Sequence, residues 1–141
     1  MITIQPMTMA DYEDVIKLWQ ATEGIHISRS DTREAIAAYL ERNPEMSFVA
    51  RIEEGKLAGA ALCGHDGRRG YLHHMAVRAD CRGMGIGRQL SDRCMAALRA
   101  AGIHKCHLFV IRRNVSGRAF WEQTGWLERS DLIIMSKELD A

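Results

Sequence analysis

With 141 residues, 47% hydrophobic and 26% charged, the chain has the size and composition of one globular domain able to bury a core, and it reads as a single domain over residues 1–141. The 19 Lys and Arg against 18 Asp and Glu leave a formal charge of +1, which argues against nucleic acid or a membrane surface as the main partner. Met1-Ile2-Thr3-Ile4-Gln5 lacks the basic and long apolar segments of a signal peptide, no uncharged apolar run approaches the roughly 18 residues of a membrane span, and Cys63, Cys81, Cys94 and Cys106 stand far apart with no Cys-x-x-Cys pair. A cytoplasmic chain with reduced thiols and no metal site is expected.

In chain order, Ile2-Thr3-Ile4-Gln5 alternates as a short strand that Pro6 ends. Thr8 with Asp11 looks like a helix cap, followed by an apolar stripe of Val15, Ile16, Leu18 and Trp19. After an irregular stretch from Ala21 to Ser30, Asp31 with Glu34 looks like a second cap before Ala35, Ile36, Tyr39 and Leu40. Asn43-Pro44 breaks that helix, and three consecutive antiparallel strands follow: Ser47 to Ile52, Lys56 to Cys63, and Tyr71 to Val77. A helix carries Ile86, Leu90, Cys94, Ala97, Leu98 and Ala101 on one face and stops at Gly102. His104 to Ile111 reads as a strand, Asn114 as the cap of a helix to about Thr124, and Trp126-Leu127 with Leu132-Ile133-Ile134-Met135 as final strands. The order is β-α-α-β-β-β-α-β-α-β, a mixed α/β arrangement in which the longest helix joins two strands that should be parallel.

That helix opens on Arg82-Gly83-Met84-Gly85-Ile86-Gly87-Arg88. Without a Cβ at 83, 85 and 87 the backbone can approach a ligand, and the first helical amides have no intrahelical acceptors, so they can bind phosphate oxygens. Arg82 and Arg88 add positive charge, and a diphosphate is the natural guest. A Walker loop is excluded because no Lys follows these glycines, and a dinucleotide fingerprint fails because Arg88 stands where its third glycine is required.

What remains, Arg82-x-x-Gly85-x-Gly87 after a strand ending in Ala76-Val77, resembles the acetyl-CoA signature of the GNAT acetyltransferase superfamily. The element order is similar to that fold throughout. Asn114 followed by Ala119-Phe120-Trp121-Glu122-Gln123-Thr124-Gly125-Trp126 also resembles the family's closing Asn…Ala-x-Tyr-x-x-x-Gly-Phe segment. The resemblance implies a mostly antiparallel mixed sheet with a splayed parallel pair, and acetyl-CoA as donor substrate with no metal. It implies pantetheine along Met75, Ala76 and Val77, and pyrophosphate on the backbone of Arg82, Gly83, Met84, Gly85, Ile86, Gly87 and Arg88. It also places Asn114 beside the pantetheine, although capping alone would account for that residue. The implied activity is N-acetyl transfer to a primary amine of a small molecule or peptide, and homodimers are common in the family.

An amine with a pKa of about 10 needs a base before it can attack. By strict alternation Leu72, His74 and Ala76 share one face of their strand, and Tyr71, His73, Met75 and Val77 the other. In arylalkylamine-type members of the superfamily the catalytic histidines match positions 71 and 73, so the resemblance points to His73 as the base, against the alternative of a structural histidine. His74, His104 and His107 read as structural or surface residues. Glu23, Asp31 and Asp66 are acids that would attract a cationic amine, although isolated loop acids are ordinarily just solvated. Trp121 stands where the family commonly has a Tyr placed to protonate the departing thiolate, and an indole cannot do that. This leaves open a second reading, a CoA-binding module that senses or sequesters the thioester without turnover.

Overall fold

The computed structural model describes residues 1–140 and divides into two compact units, Met1–Phe109 and the segment from Val110 onward. The first unit contains β1 (Thr3–Pro6), α1 (Tyr12–Ala21), α2 (Arg33–Arg42), β2 (Phe48–Arg51), β3 (Leu57–His65), β4 (Gly70–Val77), α3 (Ile86–Ala100) and β5 (Cys106–Leu108). Its sheet runs β1-β2-β3-β4-β5, antiparallel at every step except the last, where β4 and β5 are parallel and α3 forms the crossover.

Local chemistry sets the entry to the helices. The Asp11 carboxylate accepts the Thr8 amide at 2.9 Å, ordering a 3-10 turn that leads into α1. At α2 the expected cap moves by one residue: Thr32, not Asp31, accepts the Ala35 amide, at 3.2 Å. Asp31 instead closes the preceding 3-10 turn, Arg29–Asp31, by accepting the Ser28 amide at 3.0 Å. A hydroxyl directly before the helix can reach its first orphan amides, and the carboxylate is left for other partners.

The sheet is covered on two faces. On one, Trp19 and Val15 of α1 and Ile36 of α2 are fully buried in a cluster with Val49, Ala60, Leu62 and Ala76. On the other, α3 turns Ile86, Leu90, Cys94 and Leu98 inward. Gly59 permits this close approach, since a Cβ there would meet Ala76 O at 3.0 Å and Leu90 Cδ1 at 3.1 Å. The alternation expected along β4 fails in its middle. Leu62 pairs with His73 but Ala60 pairs with Ala76, so two residues of β4, His74 and Met75, oppose Ala61 alone. His74 takes φ 50, and this bulge reverses the face of everything after it. Ala76 therefore shares the α1 face with His73, in contrast to the opposite faces that strict alternation requires.

In the second unit Asn114 caps α4 (Val115–Gln123) by accepting the Gly117 amide at 3.0 Å, and Gly125 leaves the helix with φ 100. Trp121 packs edge-on against Phe120 and Trp126, with centroids 4.8 and 5.5 Å away. The final strands expected at Trp126-Leu127 and Leu132–Met135 do not form. The described residues beyond α4 carry no strand, and Leu127, Ile133 and Met135 are exposed. β-propensity describes how a side chain fits a paired, half-buried surface, and without a hydrogen-bonded partner it does not make a strand.

Candidate active site

Two features of the first unit meet along β4. The first is the loop from Arg82 to Gly85 at the start of α3. Gly83 and Gly85 have φ 81 and 79, which only glycine adopts freely, and a Cβ at Gly83 would meet nothing within 4 Å. Both glycines are therefore required by backbone conformation; Gly83 faces open space, and a Cβ at Gly85 would meet only Gln89 Nε2, at 3.9 Å. Gly85 is the N-cap residue of α3 with no side-chain cap, so the leading amides keep their hydrogen-bonding capacity. Arg82 donates from Nε to Val77 O at 3.4 Å, and Met84 and Arg88 are exposed beside the loop. With a helix dipole behind them, these groups fit an anionic diphosphate.

The second is the edge of β4. Pairing with β5 covers Gly70, Tyr71 and Leu72 and then stops, so His73 through Val77 have no partner strand on that side among the described residues. The parallel pair is splayed, leaving a free strand edge at Met75, Ala76 and Val77 that runs directly toward the glycine loop. The glycine loop was legible as a motif, whereas the free edge follows from where β5 stops.

On the α1 and α2 face of the same strand lies a cavity of about 560 Å³. Its walls are His26, Ser28, Ser30 and Asp31 of the entry loop, Ala35, Ile36, Ala38, Tyr39 and Arg42 of α2, Leu62 of β3, and both His73 and His74. The His73 ring runs nearly parallel to that of Tyr71, centroids 6.1 Å apart, and is stacked on Phe109 at 6.2 Å. Burial holds the His73 imidazole below its ordinary pKa, and the neighbouring His74 adds to the effect. His73 is thus disposed to be neutral. His74 is also in the cavity, its Nε2 3.0 Å from Asp31 Oδ1 and its ring edge-on to Trp19 at 4.9 Å. The bulge puts two consecutive histidines into one cavity, which a regular strand cannot do.

A family model for the acetyltransferase (GNAT) family matches residues 12–126. The chain belongs to the GNAT acetyltransferase family. It is 25% identical over 131 residues to N-alpha-acetyltransferase 30 of Schizosaccharomyces pombe, an alignment covering 89% of this chain and 84% of that protein. Among solved structures, Ard1 from Thermoplasma volcanium superposes with TM-score 0.80 at 21% identity, covering 92% of this chain and 84% of the other. The ribosomal-protein-S18-alanine N-acetyltransferase from Escherichia coli gives TM-score 0.75 at 23% identity over 92% of this chain and 80% of its own. In this GNAT chain the glycine loop, the β4 edge and His73 belong to the first unit, while Asn114 and Trp121 lie in α4 of the second. The residue pair that sequence reasoning missed is His74 with Asp31. The doubled His-His was visible as a signal, but its meaning depends on a bulge that periodicity cannot reveal.

Proposed function

We propose that residues 1–141 act as one acetyl-CoA-dependent N-acetyltransferase domain that acetylates a primary amine of a small molecule or peptide. The observation that carries this reading is the junction of an uncapped helix N-terminus at Gly85 with the unpaired β4 edge at Met75–Val77, alongside a cavity lined with polar groups. An elongated donor with a diphosphate at one end and an amide-bearing arm at the other matches such a junction. The backbone from Arg82 to Arg88 holds the pyrophosphate, and Met75, Ala76 and Val77 pair with the pantetheine arm.

The acceptor enters the cavity between α2 and β4. Its nitrogen attacks the thioester carbonyl carbon, the C–N bond forms and the C–S bond breaks, and a β4 amide faces the oxygen that takes on negative charge. His73, neutral through its burial, accepts the proton that the nitrogen loses as the bond forms. The thiolate, with a pKa near the thiol reference of about 8.5, leaves without a phenol at position 121 and is protonated by water. Four free cysteines, three of them buried, support a reducing cytoplasmic setting, and no helix among the described residues is long and apolar enough to cross a membrane.

The test is incubation with acetyl-CoA and a panel of alkylamines, amino sugars and short peptides, followed by CoA thiol release and mass analysis of the amine. Amine-dependent release with a gain of one acetyl group is expected. Binding of acetyl-CoA without release for any amine would favour a sensor over an enzyme.

A further inference from the structure

An amine that arrives as an ammonium ion must lose two protons on its way to an amide, one before attack and one as the C–N bond forms. The two losses make different demands. The free ammonium, with a pKa of about 10, is a weak acid and needs a base backed by negative charge, whereas the nitrogen becomes a strong acid once it is bonded to the carbonyl carbon, and a weak neutral base then suffices.

The cavity holds one imidazole of each kind. His73 has no hydrogen-bond partner among the described residues and sits stacked beside Tyr71 and Phe109. His74 has its Nε2 3.0 Å from Oδ1 of Asp31, whose side chain is only 5% exposed. That carboxylate is itself fixed, because its Oδ2 accepts the Ser28 amide at 3.0 Å and the Asp31 carbonyl accepts the Tyr12 hydroxyl at 2.7 Å. An ionised carboxylate only accepts, so the His74 proton lies on Nε2 and the lone pair on Nδ1. The ring is 23% exposed, on the cavity wall. The φ of 50 at His74 is a conformation that a non-glycine residue holds only when its surroundings enforce it, and here it brings the ring to Asp31.

We propose, building on the acetyltransferase reading above, that His74 with Asp31 takes the first proton from the bound ammonium acceptor, with Asp31 as a positioning residue. The Nδ1 lone pair accepts one N–H proton, giving a free amine and an imidazolium opposite the Asp31 carboxylate, and that proton then leaves to solvent through the cavity. The amine attacks, its second proton passes to His73, and the thiolate is protonated, so that ammonium and acetyl-CoA yield amide, CoA thiol and one proton. The other titratable groups around His74 do not replace it. Tyr39 of α2 is kept protonated by its burial, Arg42 is a cation, and His26 is exposed on the loop with no carboxylate bonded to it among the described residues. Trp19, packed on the ring from α1, is uncharged.

The test is kcat/KM for the best amine of the panel from pH 6.5 to 9.5, in wild type, His74→Gln and Asp31→Asn. Without the pair, the enzyme must wait for amine that is already deprotonated in solution, a fraction that grows tenfold per pH unit below the amine pKa. A deficit of roughly 10²-fold or more near pH 7 is expected in both variants, shrinking about tenfold per pH unit, with acetyl-CoA affinity and a cooperative melt retained in His74→Gln. A purely structural role would give a deficit independent of pH, and that result, or no deficit, would overturn the proposal. If Asp31→Asn loses its fold with the Ser28 contact, the His74→Gln profile decides alone. Wild type that releases no thiol with any amine would overturn the acetyltransferase reading and this proposal together. An active wild type with pH-flat deficits overturns this proposal only.

Discussion

Arg51 donates from Nη2 to Oδ1 of Asp11 at 2.7 Å, tying β2 to the turn that starts α1. Oδ2 of the same carboxylate accepts the Thr8 amide, and Arg51 Nη1 donates to Gly55 O at 2.7 Å, so one ion pair serves three backbone segments. Arg51→Met keeps the aliphatic stem but leaves a buried carboxylate unpaired, and a loss of about 2–3 kcal/mol is expected. Urea unfolding of the variant measures this. A loss below about 0.5 kcal/mol would mean that the pair behaves like an exposed one.

At the glycine loop, Gly85→Asp adds both a Cβ at φ 79 and a negative charge where the donor's diphosphate is expected. Acetyl-CoA at a hundredfold excess over Kd should stabilise wild type by about 2.7 kcal/mol, and the variant far less. Thermal shift and calorimetry read this directly, with NAD and ATP as controls that should do less. A folded Gly85→Asp protein with unchanged acetyl-CoA affinity would remove the loop from donor binding.

His73 carries a signature in pH. Burial, reinforced by His74 and partly opposed by Asp31, holds its folded pKa below the unfolded value of 6.5. The unfolded chain therefore binds the proton first, so this contribution to stability is present above pH 6.5 and is lost as the pH falls from there toward the lower folded value. Between pH 7 and 5 wild type should lose more stability than His73→Gln, as melting curves at the two pH values would reveal. The same substitution should slow the chemical step at neutral pH by roughly 10²–10⁴-fold without weakening acetyl-CoA binding. Equal rates from pH 6 to 9 would assign the second proton to water.

Gly64 is held free of a side chain by α2. A Cβ there would lie 2.4 Å from the Tyr39 hydroxyl and 2.6 Å from Asn43 Cγ, and Asn43 Oδ1 accepts the His65 amide at 3.0 Å. Gly64→Ala should therefore destabilise by about 1–3 kcal/mol through overpacking. Because Tyr39 lines the cavity, KM for the amine should rise with it while acetyl-CoA affinity is kept. A neutral Gly64→Ala would mean that α2 shifts freely on the sheet.

The sequence made the elements up to α3 legible because each carries its own punctuation: Thr8 with Asp11, Asn43-Pro44, and Gly102 at φ 83. The glycine loop was legible for the same reason, since positive φ leaves glycine in the sequence. Three things were not. Thr32 and Asp31 are both competent caps, and only the path of the chain chooses between them. Ile133 and Ile134 have high strand propensity, which says nothing about whether a partner edge is present. The His74 bulge has no glycine to announce it, because the His74–Asp31 bond and the packing on Trp19 hold the backbone there instead.

That bulge behaves as a frameshift in three dimensions. In a regular strand a scan of polar substitutions would alternate between harmful and tolerated with one phase from end to end. In β4 the phase must change at position 74: with α1 as the reference face, odd positions point toward it through His73, and even positions from His74 onward. Deleting one residue at the bulge, such as Met75, would restore the ordinary two-residue beat, leaving His73 and Ala76 on the α1 face and turning His74 to the α3 side. The strand would keep its pairing with β3 but would no longer present two neighbouring imidazoles to the same space, so a variant that folds normally would lose the arrangement on which the proposed proton transfers depend.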